Sequence, residues 1–273
     1  WADDAVVRDR VQRIYARPER VRKVAHHGEF FDVEGYHLCE PSRQRTPVLF
    51  QAGTSGRGQA FAARHAECVF IAAPEKALAR KAARSIREAV TRAGRRPEDV
   101  RIVMGINVVT DRSAAAAQDK LAEYRAHSSP EAGLVHFSAS TGIDFARYGL
   151  DGRSPYGQTN AIQSATALAE SRAWTKRDLL GQLALGGRYP LALGTPAEVA
   201  DELESWVREG EIDGFNLTRT VVPESFETFV RHVVPQMQER GRYKTAYTPG
   251  TLRNKLFGKG DRRSAALSAT AFA

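Results

Sequence analysis

The chain has 273 residues, 42% of them hydrophobic, with 40 Lys and Arg against 32 Asp and Glu for a formal net charge of +8. That length supports one domain of roughly 200 to 250 residues or two smaller ones. No run of 18 apolar residues offers a membrane span, and the charged opening WADDAVVRDR lacks the apolar core of a signal peptide, so a soluble, cytoplasmic chain is expected.

The first residue is Trp1, with no initiator methionine, and residues 1–45 read as a linker or excursion. His26, His27 and His37 within it lack metal-ligand spacing, and no metal is expected. Cys39 and Cys68 are the only cysteines, in neither disulfide nor metal spacing, so reduced thiols are expected, with Cys68 in the core.

Four short apolar runs then follow, starting at Pro47 (PVLFQA), Cys68 (CVFIAA), Ile102 (IVMGINVV) and Gly214 (GFNLTRTVV). Their lack of clean polar alternation fits strands covered on both faces, as in a parallel sheet. A helical pattern follows each run, over 56–66, 75–93, 113–126 and 224–240. Gly94 and Gly241 serve as stops, and Pro235 is expected to kink or shorten the last. A further helix begins at Thr195-Pro196-Ala197-Glu198, a capping box with proline at its first position, and is expected to end at Gly210. Residues 128–193 show no strong period. A structureless connection of that length is improbable in a compact domain, so short helices are expected there, lying over one face.

The positive charge raises the question of nucleic acid, but its distribution answers against it. Arg80, Lys81, Arg84, Arg87 and Arg92 interleave with Leu78, Ala82, Ile86, Ala89 and Val90, the pattern of a solvated helix face over a buried one. The basic stretches 8–23 and 255–263 read as arms or as solvated segments.

Strand–helix units joined by right-handed crossovers build either an open doubly wound sheet or an eight-unit barrel. Four units cannot close a barrel, so the expectation is the C-terminal half of one, over residues 46–241 with the 128–193 insertion, followed by a tail over 242–273. At the first strand's end, QAGTSGRG puts Thr54, Ser55 and the glycines 53, 56 and 58 before a helix. Free N–H groups and the helix dipole there favour a phosphate or small oxyanion. Gln59 stands where a P-loop requires lysine, and the G-x-G-x-x-G spacing is not met. A plain helix cap by Thr54 or Ser55 is the alternative.

The segment PVLFQAGTSGRGQAFAARHAECVF resembles the signature of the flavin-dependent monooxygenases of the nitrilotriacetate, pristinamycin synthase and dibenzothiophene-sulfone group, a branch of the luciferase-like superfamily. FFDVEGYHLCEPSRQRTP, HFSASTGIDFARYG, GTPAEVADELESWVREGEIDGFNL and YKTAYTPGTLRNKLFG are similar to the same group. The resemblance implies a TIM-like (β/α)8 barrel of which about the last four units are present. It also implies FMN, reduced by a separate NAD(P)H-dependent flavin reductase, with O2 and a small organic substrate, and a homo-oligomer; neither nucleic acid nor membrane is an expected partner. Thr54 and Ser55 then hold the flavin phosphate. The flavin carries the oxygen chemistry, while the protein excludes water and positions the substrate.

No catalytic residue is assigned, since the group's other flavin contacts come from the first four units. His136, Ser138, Ser140, Thr141 and Asp144 are candidates to line the pocket, against the alternative that they satisfy loop backbone. Asn107 and Asn216 read as satisfied core amides rather than ligands. Two other functions stay open: a deazaflavin-dependent oxidoreductase of the same superfamily, and a non-catalytic interaction or dimerisation module.

Overall fold

A computed structural model describes residues 1–52, 55–152, 175–185, 189–258 and 260–263. The chain divides into two units, residues 1–48 with 249–264, and residues 49–248 with 265–273.

The smaller unit holds two antiparallel hairpins, β1 (Val6–Asp9) with β2 (Ile14–Ala16), and β3 (Val24–His27) with β4 (Asp32–Gly35). Its other part is a helix, Leu252–Phe257, whose N-cap Thr251 accepts from the Asn254 N–H. Arg253, 3% exposed, ties the two together. Its guanidinium donates to the carbonyls of Gln44 (3.1 Å), Thr46 (2.8 Å), Pro47 (3.0 Å) and Asp261 (3.1 Å). Within the basic stretch 255–263, Asp261 takes Arg43 at 3.0 Å, and Arg262 takes Asp3 at 2.7 Å, so these two residues are tied to the hairpin part rather than merely solvated.

The larger unit is built on a parallel sheet of β5 (Phe50–Ala52), β6 (Cys68–Ile71), β7 (Arg101–Thr110), β8 (Leu191–Gly194) and β9 (Gly214–Thr218). The four expected strands are all present, and β8 is an addition. Val103 pairs with both Phe70 and Gly214, and Asn107 with both Leu191 and Thr218. Thus β6 and β8 lie end to end on one edge of β7, while β9 takes the other.

The helices α1 (Gly56–His65), α2 (Lys76–Arg92), α3 (Ala114–Ala126) and α6 (Pro196–Gly210) follow the strands as expected. Ile102, Met104, Ile106 and Val108 of β7 point into a core with Ala79, Ala83, Ile86 and Val90 of α2 and Val199, Leu203 and Trp206 of α6. The alternation of strand side chains then sends Val103, Gly105, Asn107 and Val109 to the opposite face. Between the third and fourth units, α4 (Pro130–Thr141) and α5 (Lys176–Leu183) pack a second core of Leu134, Phe137, Ile143, Phe145, Leu179 and Leu183. These are the short helices expected of the insertion.

Helix α6 ends at Gly210 as expected, and the ends of α6 and of the last helix each carry a local adjustment. Gly210 is still helical, and a β-carbon on it would lie 3.3 Å from that of Ala79, so glycine there lets α6 approach α2. The left-handed cap falls one residue later on Glu211, at φ 54°, whose carboxylate pairs with Arg84 and whose carbonyl accepts from Arg87. Of the two effects expected of Pro235, early ending is not seen, and the α-helical pattern is instead interrupted just before it. The segment runs Glu224–Thr228, a π turn Phe229–Val233, then Val234–Glu239. Widening the turn just before the proline absorbs the register lost where its ring removes an N–H.

Candidate active-site face

The C-terminal ends of β5, β6, β7 and β9 share one edge of the sheet, where sites form in parallel α/β folds. At the end of β5, Ser55 is the N-cap of α1, with φ −64° and ψ 156°. Its Oγ accepts from the Gly58 N–H at 3.2 Å, and its carbonyl accepts from Gln59 at 2.8 Å. The N–H groups of Gly56 and Arg57, the first in the helix, have no intrahelical acceptor, and among the described residues beyond its chain neighbours nothing lies within 4 Å of where a side chain at Gly56 would begin. Thr54, the other expected phosphate contact, lies outside the described residues. Gln59, in the place of the P-loop lysine, accepts from Ser85 Oγ at 2.7 Å and so links α1 to α2.

At the end of β7 a cluster unforeseen from the sequence gathers. Lys120 of α3 reaches Asp111 at 2.8 Å and Glu224 at 3.1 Å, and donates to the Thr110 carbonyl at 3.2 Å. Burial opposes its charge, but hydrogen bonds to the two carboxylates outweigh that, and its pKa is raised. Asp111 is correspondingly held low, chiefly by Lys120. Tyr124 is pushed up by burial and by the Glu224 carboxylate beside it. These groups hold α3 to the start of the last helix; their charges are spent on one another.

The helix-free face of the sheet carries Phe50, Phe70, Val103, Gly105, Asn107 and Thr218. The Phe50 and Phe70 rings are 6.1 Å apart and tilted, with Phe50 half exposed. Asn107, 4% exposed, donates from Nδ2 to the Tyr189 carbonyl at 3.3 Å and meets the Thr218 hydroxyl at Oδ1. It is the satisfied amide expected. Asn216 is not: it is exposed, on a face of β9 that has no layer over it among the described residues. A depression of about 290 Å3, lined by Gly56, Ala60, Ala63, Arg64, Ala89 and Arg92, belongs to the outer helical layer instead.

The insertion candidates do not converge. Thr141 Oγ1 donates to the Phe137 carbonyl at 2.7 Å, and Ser140 Oγ to that of His136 at 2.8 Å. Asp144 caps Ala146 and pairs with Arg147. His136 is exposed on α4, and Ser138 is half-buried. For Ser140, Thr141 and Asp144 the local backbone role is the observed one.

A parallel sheet with helices on one side, a capped helix start at its C-terminal edge and, among the described residues, no helical layer over the other face is a segment of barrel wall. Residues 7–213 match the sequence profile of the luciferase-like monooxygenases. The chain belongs to that family. Dimethyl-sulfide monooxygenase of Hyphomicrobium sulfonivorans is 41% identical over 269 residues, covering 96% of this chain and 56% of the relative. Long-chain alkane monooxygenase of Geobacillus thermodenitrificans (strain NG80-2) is 39% identical over 263 residues, with 96% and 56% covered. The crystal structure of a riboflavin lyase with modified FMN and riboflavin superposes with TM-score 0.85 at 31% identity, over 99% of this chain and 61% of that one. Dibenzothiophene-sulfone and nitrilotriacetate monooxygenases and a pristinamycin synthase subunit are also relatives, the group the signature resembles. The chain spans little more than half the length of these relatives. Its fold is thus the luciferase-like TIM barrel, with about four strand–helix units present, and the helix-free face is the barrel's inner face. Among the described residues no helix is long and apolar enough to cross a membrane.

Proposed function

We propose that the protein carrying this chain is a two-component, FMN-dependent monooxygenase that uses reduced flavin and O2 to oxygenate a small organic substrate. A separate NAD(P)H-dependent reductase supplies the flavin in this reading. The observation that carries it is the start of α1: N–H groups without an intrahelical acceptor, a serine hydroxyl and open space at Gly56, at the C-terminal edge of the strands, where sites of (β/α) barrels lie. That donor set fits a phosphate monoester, because the helix dipole and charge-assisted hydrogen bonds both favour a dianion there. Ser55, with Thr54 beside it in sequence, would hold the phosphate, and the helix would orient the rest of the ligand toward the lumen.

Bound reduced flavin supplies the electrons that activate O2. This chain's share is to anchor the ligand, to keep water from the inner face with Phe50, Phe70 and Val103, and to present an apolar wall to substrate. Two relatives named for dimethyl sulfide and for long-chain alkanes support an apolar substrate class. A homo-oligomer and a cytoplasmic location belong to the same reading, and the exposed Phe30, Phe31 and Leu38 of the hairpin unit support the former.

The test is FMN titration of the protein at its natural full length, with Thr54 and Ser55 both changed to alanine. Loss of two hydrogen bonds to a charged phosphate is expected to weaken binding about 100-fold or more. Unaltered FMN affinity, or tighter binding of a deazaflavin by the native protein, overturns the reading.

A further inference from the structure

Strand β7 contributes to the lumen through its odd-numbered residues, and at its midpoint that residue is glycine. A β-carbon built on Gly105 would lie 2.3 Å from two ring carbons of Tyr189. In a filled barrel each strand supplies its own side chains to the interior layers. Here the slot of a strand residue is taken by a ring from the connection that precedes β8.

The ring is fixed from the C-terminal side. Asn107, one inward position nearer the barrel mouth, donates from Nδ2 to the Tyr189 carbonyl at 3.3 Å, and its own N–H donates to the Pro190 carbonyl at 2.9 Å. Thr218 meets the Asn107 amide oxygen and donates toward the Ile106 carbonyl at 3.0 Å. From Leu191 onward the chain is strand β8, registered on β7 through Asn107–Leu191. Tyr189, two residues before Leu191, therefore stands one inward position below Asn107, with its ring over Gly105. A ligand entering from the mouth meets a side-chain amide already occupied with Tyr189 and Thr218, then an aromatic surface.

We propose that Tyr189 is a specificity-determining residue, whose ring sets the depth to which a substrate enters the lumen. The proposal rests on the reading of the inner face as the substrate pocket. Its chemistry selects for an apolar end: the amide above the ring is already engaged, and the ring itself presents an apolar face. Because a loop residue fills the slot, depth is open to change without altering a strand.

The experiment uses the natural full-length protein and a series of methyl n-alkyl thioethers, from dimethyl sulfide to methyl decyl sulfide, with affinity measured by calorimetry. Affinity in the native protein should rise about fourfold per methylene, up to the length at which the chain meets the ring. Tyr189→Ala should move that break by two or three methylenes and raise affinity for the first longer thioether about tenfold or more. Tyr189→Phe keeps the ring and should leave the break in place, so a merely structural effect of losing the hydroxyl is separated from depth. Should the alanine variant not fold, Tyr189→Leu carries the test, with a shift of at least one methylene expected. A folded alanine or leucine variant with an unmoved break overturns the proposal, as does a native protein that binds no thioether of any length. FMN binding is measured on the same samples: its failure in the native protein would refute the flavin reading, while the break in thioether binding still reports on Tyr189.

Discussion

The hydroxyl of Ser55 illustrates how one side chain serves structure and ligand together. Its lone pair satisfies a helix N–H, and that cap does not use the hydroxyl's own proton. The two sequence readings of the turn, helix cap and anion contact, are thus not exclusive. At the same scale, the two thiols differ by environment alone. Burial, and then the neighbouring Glu67 charge, push the Cys68 thiol up to about 12, whereas Cys39 is exposed. With a pKa near 12, only about one Cys68 in ten thousand is thiolate at pH 8, and the thiolate is the reactive form. A disulfide reagent at pH 8 should therefore titrate one thiol per native chain, and two after denaturation. Two fast-reacting thiols in the native protein would show that β6 opens to solvent. Cys68 was legible as core because its apolar run is unbroken. The burial of Asn107 and the exposure of Asn216 were not separable in the sequence, since both are amides in apolar strands and only the sheet order tells them apart. Gly105 did leave a trace: a lone glycine inside the run IVMGINVV marks a strand that another group approaches closely.

Among elements, the helices were the most legible, because cap and period agree. The start of α6 shows both halves of its capping box: Glu198 accepts from the Thr195 N–H at 2.8 Å and hydroxyl at 2.9 Å, and Thr195 Oγ1 accepts from the Glu198 N–H at 3.3 Å. The Thr195 N–H, then its hydroxyl, hold the Glu198 carboxyl below the ordinary glutamate value of 4.5. A carboxylate whose pKa is depressed by folding adds stability that is whole above its unfolded value and is lost as pH falls through the folded one. Urea midpoints measured from pH 6 down to pH 3 should accordingly drop less steeply for Glu198→Gln than for the native protein, with the curves parting above pH 4.5 and converging below it. Identical slopes would place the box outside the folding equilibrium. Less legible were the ends. Glu211 takes the left-handed position in place of glycine because an ion pair to Arg84 holds it there, a contact 127 residues distant in sequence. Strand β8 was hidden by its brevity, four residues at the edge of a segment without period. The Lys120 cluster was invisible for a related reason: Asp111, Lys120 and Glu224 come from three elements, and no spacing within one of them announces the meeting.

For the whole molecule, parallel architecture and unit count were readable from apolar runs that alternate with helical periods. The pairing of the hairpins in residues 1–48 was not, because their side chains are largely exposed and carry little period-two contrast. The positive charge is distributed in the way the sequence suggested. Arg84 meets Glu211, Arg87 meets Asp213 at 3.0 Å, and Arg240 meets Asp201 and Glu204, so much of it is consumed in pairs that join elements.

The doubled edge of β7 has a dynamic corollary. With β6 and β8 end to end on one side and β9 on the other, its backbone amides are released only when several neighbours separate together, so local opening offers deuterium no shortcut. In native-state exchange the amides of Ile102 to Val109 should be the last in residues 49–248 to take up label, at the rate of global unfolding. Earlier labelling there than in α2 or α6 would mean that the seam between β6 and β8 breathes by itself.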